Sequence, residues 1–339
     1  MVHGKNQKAV KDESGEYPIY GSGGRMGRAN SYICPANTVI IGRKGNINKP
    51  IYVSEPFWNV DTAFGLVAKP ELLDSRYLFH FCKYYDFEKL NTTCTIPSLT
   101  RRNVESIRIF LPSLSVQKGL VAQFDTILEQ IELGQKQLSS LDSLVKSRFV
   151  EMFGSCTRCV SLADVCCFRS GRTLPKSDEM PSGDYLYAKV GDLNLPGNER
   201  EIKSSRSYVN ADVAKNLIPK GAVVFPKRGG AISTNKKRVT VRDCCLDLNL
   251  MAVIPSEQIC TEYLLAWFDQ MDLAEIANGS AVPQINNKDL EPLIIPLPQM
   301  ETQQKFAAFA AQVDKSRFIA RRAMENLMSI MKTMGMLSA

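Results

Sequence analysis

The chain carries two copies of one pattern, and that repeat limits its fold more than any single motif. Tyr77-Leu78-Phe79-His80-Phe81-Cys82 aligns with Tyr263-Leu264-Leu265-Ala266-Trp267-Phe268, and Ile96-Pro97-Ser98-Leu99 with Val282-Pro283-Gln284-Ile285, both at an offset of 186 residues. The same offset carries Asp61 onto Asp247 and SIRIFLPSLSVQKGL (Ser106 to Leu120) onto PLIIPLPQMETQQKF (Pro292 to Phe306). VIIGRKG (Val39 to Gly45) meets VVFPKRG (Val223 to Gly229) at 184, a gap of two residues. Self-similarity of this kind means one domain used twice. At 339 residues the chain is long enough for each copy to bury its own core.

Each copy ends in a long amphipathic stretch. Leu120, Phe124, Ile127, Ile131, Gly134, Leu138, Leu141, Val145, Arg148 and Met152 recur in alternating steps of four and three, a heptad seam. Phe306, Ala310, Val313, Arg317, Ala320, Met324, Leu327, Met331 and Met334 repeat it, with Gly134, Arg148 and Arg317 as flaws. Pro112 and Pro298 stand just ahead, and Ser115 and Glu301 lie where the first turns begin. A helix from Val116 to Phe153 would span roughly 57 Å at 1.5 Å per residue. Two matched seams are expected to pack on each other as an antiparallel coiled coil, with the globular parts at opposite ends. The expected division is therefore residues 1–113, a globular domain; 114–154, a spacer helix; 155–299, a second globular domain; and 300–339, a second spacer helix.

The globular parts carry short β-branched or aromatic runs (NTVIIG, YVSEPFW, GAVVFP, RVTV, LNLMAVI) between Gly, Pro, Asn and Ser. With short helices expected at Glu71 to Phe87 and Cys260 to Ile276, each reads as an α+β domain built on a curved sheet. The copies differ at their starts. Aligned on the second, the first begins in the loop before Tyr17 and is expected to be short by about ten to fifteen residues: either the chain start is misassigned or the first domain has lost an edge strand.

Charge and cysteine content narrow the function classes. Net charge is only +7, but it is unevenly placed: Tyr17 to Ser54 holds Arg25, Arg28, Arg43, Lys44 and Lys49 with no Asp or Glu, and Val213 to Arg242 holds eight cations with none. No apolar run reaches the ~18 residues of a membrane span, and the N-terminus lacks the apolar core of a secretion signal, so a cytoplasmic protein is expected. In that compartment the ten cysteines read as free thiols. Cys156-x-x-Cys159 with Cys166 lacks a nearby histidine and a regular spacing, so no metal site is expected. Gly21 to Gly27, GSGGRMG, has its third glycine one place too late for a dinucleotide loop and reads as a flexible loop. There is no G-x-x-x-x-G-K-[ST], no Pro-Pro, and histidine only at His3 and His80, of which His80 sits between aromatics as a core or boundary residue. Asp192, Glu201 and Lys203 are the one set a metal-dependent nuclease could use. A scaffold that pairs proteins through its helices is a third reading.

Nucleic-acid binding accounts best for the rest. Phosphate contacts need cations without neighbouring acids, and base reading needs Arg, Asn and Gln at loop tips. Arg43-Lys44-Gly45-Asn46-Ile47-Asn48-Lys49 meets both needs, as does Lys227-Arg228-Gly229-Gly230 with Ser233-Thr234-Asn235-Lys236-Lys237-Arg238. Arg25 and the Pro97 to Arg102 loop, with Arg101, Arg102 and the counterpart Gln284 to Lys288, are secondary candidates. Together with YPIYGSGG, FWNVDTAFGLV, PSLTRRNVESIRIFLPSLSVQKGLV and GSAVPQINNKDLEPLIIPLP, this order of elements resembles the DNA-specificity subunit of type I restriction-modification systems. The resemblance implies two target recognition domains reading the halves of a split site on double-stranded DNA, with the helices as spacer. It implies a non-catalytic chain that binds no cofactor itself. S-adenosylmethionine, ATP and Mg belong to its partners, two methyltransferase subunits docked on the helices and restriction subunits that can join them. Different loop chemistry in the two domains predicts an asymmetric target.

Overall fold

A computed structural model describes residues 1–91, 96–279 and 282–333. The chain divides into two compact units, Met1–Lys136 with Ala320–Ala339, and Gln137–Ile319. Each combines one globular domain with stretches of both long helices.

The first unit runs β1 (Val2–His3), β2 (Tyr17–Gly21), β3 (Gly24–Ala29), β4 (Thr38–Gly42), β5 (Ile51–Val53), β6 (Trp58–Asn59), β7 (Ala63–Val67), α1 (Ser75–Tyr84), α2 (Arg101–Glu105) and the start of α3 (Leu114–Phe153). Its main sheet is antiparallel in the order β1-β7-β4-β5, and a smaller one has the order β3-β2-β6. All five residues of β4 are buried, as a β-branched run between two neighbours demands. α1 begins where Asp74 Oδ1 accepts the amides of Arg76 and Tyr77, and it buries Tyr77, His80, Phe81 and Cys82. Val39, Ile41, Ile47, Phe64, Phe81, Phe87 and Leu99 form the core between sheet and helix.

The second unit contains the rest of α3, then β8 (Cys159–Ser161), α4 (Leu162–Val165), β9 (Cys166–Ser170), β10 (Tyr185–Ala188), β11 (Glu201–Ile202), β12 (Tyr208–Val209), β13 (Val223–Pro226), β14 (Arg238–Thr240), β15 (Cys244–Leu246) and β16 (Leu250–Pro255). α5 (Thr261–Phe268), α6 (Leu273–Ile276), α7 (Asn287–Leu290), β17 (Ile294–Pro296) and most of α8 (Met300–Thr333) follow. The main sheet, β11-β14-β13-β16-β9, repeats the first domain's pairing. Val223↔Val253 and Phe225↔Met251 stand where Val39↔Leu66 and Ile41↔Phe64 stand. The fold is the expected α+β repeat with two long helices. Two expectations are corrected. Gly21 to Gly27 is the tip of the β2–β3 hairpin, not a loop: Tyr20 pairs with Arg25 and Gly21 with Gly24, whose φ of +118° suits a tight turn that glycine alone closes cheaply. The first domain does not start in a loop either, since Val2–His3 already pair with β7 at the sheet edge.

The seams hold within each unit. In the first, Phe124, Ile131 and Met331 are buried in one cluster flanked by Leu120, Ile127 and Leu327. In the second, Val145, Phe149, Phe153, Phe306, Ala310 and Val313 share the domain core, with Leu141 against it. Rising numbers on α3 meet falling numbers on α8 in both, so the pairing is antiparallel. Met334 lies outside the described residues. The three flaws have reasons. A Cβ at Gly134 would lie 2.8 Å from Met324 Cγ and Sδ, so the glycine is the notch that seats Met324. Arg317 is 9% exposed but bonds Asp142 (2.7 Å) and Asp314 (2.6 Å). Arg148 bonds Glu151 and lies over the Phe309 ring.

Each helix is fastened to its domain by a buried glutamine. Gln117 Oε1 accepts the Asp74 amide (2.8 Å), and its Nε2 donates to the carbonyls of Leu72 and Pro112 (2.8 Å each). Gln303, 186 residues on, takes the Cys260 amide (2.9 Å) and donates to Gln258 (3.1 Å) and Pro298 (3.0 Å). Tyr77 donates its hydroxyl to Phe110 O as Tyr263 does to Pro296 O.

Candidate nucleic-acid interface

The two basic turns share one backbone scaffold. In the first domain β4 runs out into Arg43 and Lys44, and the chain turns at Gly45 with φ +82°. The Gly45 amide donates to Pro97 O (2.9 Å) and the Leu99 amide to Arg43 O (2.9 Å). In the second domain β13 runs out into Lys227 and Arg228, and Gly229 turns with φ +70°. Its amide donates to Pro283 O (2.8 Å) and that of Ile285 to Lys227 O (2.9 Å). The loops at Pro97 to Arg102 and Gln284 to Lys288, secondary candidates by sequence, are thus stitched to the basic turns. An L side chain at either glycine would be strained at that φ.

A third loop joins the first turn. The tip of the β2–β3 hairpin lies beside it, with a Cβ at Gly23 placed 3.8 Å from Asn46 Nδ2, which brings Arg25 to the same surface. By sequence alone Arg25 belongs to a flexible loop, whereas in the structure it lies on β3. The signal that points to a hairpin is the Gly-containing four-residue turn between the runs YPIY and RMGRA.

The predicted contact residues separate by what their side chains already hold. Arg25, Lys44, Asn46, Lys49, Arg102 and Arg228 are exposed and make no side-chain hydrogen bond or ion pair among the described residues. Ser233 and Thr234 are exposed on a 3-10 turn, Gly229–Thr234, where their hydroxyls donate to Gly230 O and Ala231 O. Arg43 donates to Asp61 O (3.0 Å), Arg101 is paired with Glu105 (2.6 Å), and Lys236 donates to Asn194 Oδ1. Lys227 donates to Ser170 Oγ (2.8 Å), and burial first, then Arg228, lowers its pKa.

Four candidates have side chains already committed to the fold. Asn48 Oδ1 accepts the Phe87 amide (2.7 Å) at the start of a 3-10 turn, so its acceptor is occupied. Asn235 sits in the left-handed region and spends its side chain on Met271 O and the Leu273 amide. Lys237 is 5% exposed and donates to Asn235 Oδ1 and Met271 O, and burial outweighs Asp269 and Asp272 in lowering its pKa. Arg238 donates to Lys237 O and Leu193 O. A basic run in sequence does not reveal that these cations turn inward to satisfy carbonyls.

The nuclease set does not assemble as sequence allows. Asp192 is 3% exposed, and its carboxylate accepts the Lys189 amide and the Ser205 hydroxyl (2.9 Å each) as a cap, while Glu201 pairs with Lys203 (3.0 Å). Among the described residues no group of three or more His, Cys, Asp or Glu is placed to hold a metal ion, and no helix is long and apolar enough to cross a membrane.

Comparison with known proteins bears on what such a repeated surface serves. The family model "Type I restriction modification DNA specificity domain" matches residues 4–143 and again 158–325. A putative type I restriction enzyme specificity subunit of Haemophilus influenzae is 21% identical over 95% of this chain and 86% of its own length. The MjaIX specificity subunit of Methanocaldococcus jannaschii is 24% identical over 40% of this chain and 29% of its own. Among solved structures, the S subunit of a type I restriction-modification system from M. genitalium superimposes with a TM-score of 0.59 at 15% identity, covering 99% of this chain and 91% of that one. A chain from a study of complex assembly in the type I R-M system gives 0.59 at 19%, covering 89% and 80%. The two domain matches together take in most of the sequence, and the chain belongs to the family of type I restriction-modification DNA specificity subunits.

Proposed function

We propose that the chain is the non-catalytic reader of a type I restriction-modification complex, each domain contacting one half of a split DNA site. The supporting observation is the repeated basic turn, fastened by the same two backbone hydrogen bonds in both domains and carrying uncommitted cations, Lys44 and Lys49 in one and Arg228 in the other. Cations near phosphate supply affinity, and Asn46, Ser233 and Thr234 stand where base edges are read. Because an amide faces DNA in one turn and hydroxyls in the other, the two half-sites differ.

Catalysis rests with partners in the cytoplasm: two methyltransferase subunits that dock on α3 and α8 and use S-adenosylmethionine, with ATP- and Mg-dependent restriction subunits where cleavage occurs. The test is a modified-base map of genomic DNA from cells making this chain with its neighbouring methyltransferase, against the methyltransferase alone. A new methylated motif in two unlike halves supports the reading. No new motif, together with salt-independent DNA binding by the purified complex, removes it.

A further inference from the structure

The two domains turn the chain differently at one place. In each, a small sheet has a middle strand with one antiparallel and one parallel neighbour: β2 between β3 and β6, and β10 between β12 and β15. Matching hydrogen bonds fix the correspondence, since Tyr20 O accepts the Val60 amide (2.9 Å) as Ala188 O accepts the Asp247 amide (2.9 Å). Ile19, paired with Gly27, therefore corresponds to Tyr187, whose amide donates to Ser207 O (2.9 Å). Seven residues, 20–26, close this turn in the first domain, and nineteen, 188–206, close it in the second.

The longer turn is held rigidly from below. Asn198, fully buried, donates to Asp192 O (2.8 Å) and Ser204 O (2.7 Å) and accepts the amides of Lys203 (2.9 Å) and Ser204 (3.2 Å). Leu193 and Ile202 anchor it in an apolar cluster with Leu186, Val224 and Leu246, and β11 pairs in parallel with β14, the strand that begins at the end of the basic run. A buried polar network satisfied in this way keeps one conformation. It carries Asn194, exposed at the end of the 3-10 turn Val190–Asn194. Arg238 donates to the adjoining Leu193 O (3.1 Å), and Lys236 Nζ donates to Asn194 Oδ1. An ammonium can only donate, so the atom that meets Lys236 is the amide oxygen. Asn194 Nδ2 makes no hydrogen bond among the described residues. The shorter turn of the first domain brings Gly23 to Asn46 in the basic loop; the longer one brings Asn194 to Lys236, two residues beyond Thr234.

We propose that Asn194 is a specificity-determining residue of the second domain: with Oδ1 held by Lys236, its Nδ2 donates to an acceptor on a base edge in the major groove. The inference rests on the reading of this chain as a DNA reader. Guanine offers O6 and N7 there, adenine N7 and thymine O4, whereas cytosine offers only its N4 donor. The half-site of the second domain therefore has one position from which cytosine is excluded, and that exclusion comes from a residue outside the basic turn.

The test compares the complex of this chain and its methyltransferase with its Asn194→Ala and Asn194→Asp forms, by modified-base mapping and then by binding to duplexes changed one base pair at a time in the mapped second half. Asn194→Ala should keep the first half of the motif and loosen one position of the second, with discrimination against cytosine there falling about tenfold or more. The slope of log K against log salt should not change, because a neutral amide releases no counterion. Asn194→Asp keeps an oxygen for Lys236 but has no donor, so it should lose the same discrimination. An unchanged motif in Asn194→Ala overturns the proposal and leaves the DNA-reading function standing. So does full discrimination in Asn194→Asp, because the residue would then act only by placing Lys236, and so does an equal loss of affinity for every sequence. If the unaltered complex yields no motif and binds DNA independently of salt, the DNA-reading function falls and this proposal with it.

Discussion

Replacing Gln303 with Met keeps length and volume but removes all three hydrogen bonds that its side chain makes where α8 joins the second domain. The side chain is fully buried, so water cannot take over the abandoned groups. Stranding the Cys260 amide costs about 1–3 kcal/mol, and the carbonyls of Gln258 and Pro298 each forfeit a bond worth about 0.5–1.5 kcal/mol. The sum is about 2–6 kcal/mol, and because Met fills the vacated volume the lower half of that range applies, about 3 kcal/mol or somewhat more than a hundredfold in an equilibrium constant. Native-state hydrogen exchange reads this locally, since opening of the junction exposes the Cys260 amide. Its protection should fall by about two orders of magnitude, with a matching drop in the denaturant midpoint of the second unit. Gln117→Met should do the same to the Asp74 amide in the first unit. If Cys260 keeps its protection in Gln303→Met, the junction is held by apolar packing alone and the reasoning fails.

Other outcomes follow from the sorting of charges and thiols. Lys44→Ala and Arg228→Ala should each weaken DNA binding and lower the slope of log K against log salt by about one, whereas Lys237→Ala should leave that slope unchanged and lower the melting temperature instead. His80 is fully buried, its Nε2 3.0 Å from Asp125 Oδ1 and its Nδ1 without a partner; burial outweighs Asp125, which Arg76 shares, and lowers its pKa. The unfolded chain therefore takes up the proton first, and first-unit stability should fall as pH drops below about 6.5. His80→Ala, matching Ala266, should flatten that dependence between pH 7 and 5, and an equal slope in both proteins would refute it. Cys159 and Cys167 are exposed, while burial pushes the Cys82 and Cys244 thiols up to about 12, so the first pair should alkylate quickly and the second only on unfolding. Gly134→Leu should lower the stability of the helix pair, because its side chain would occupy the space of Met324.

The long-range pattern was legible in the sequence because it rests on periodicity. Val313, Ala320, Met324 and Met331 are buried as their heptad places require, and even Arg317 keeps its place once Asp142 and Asp314 neutralise it. Phe149 and Phe153 escaped the seam because they face the domain core, where Tyr263 and Phe306 meet them. Local polarity misled where a polar side chain serves the backbone. Lys237 and Asn235 look like the rest of STNKKR, yet they satisfy Met271 O and the start of α6, partners 34 to 38 residues away. Likewise nothing in Gln117 or Gln303 alone announces a clamp, although their matching positions in the repeat could have prompted the question.

The turns at Gly45 and Gly229 are fastened by main-chain atoms: amides and carbonyls hold their shape, and only the glycines are demanded by conformation. Substitution at Lys44, Asn46 or Lys49 therefore leaves the architecture alone and changes only the chemical face presented outward. If the proposed reading of DNA through these turns holds, such a reader separates its alphabet from its grammar. On that proposal, new specificities arise by drift at a few outward positions, without passing through an unfolded intermediate sequence.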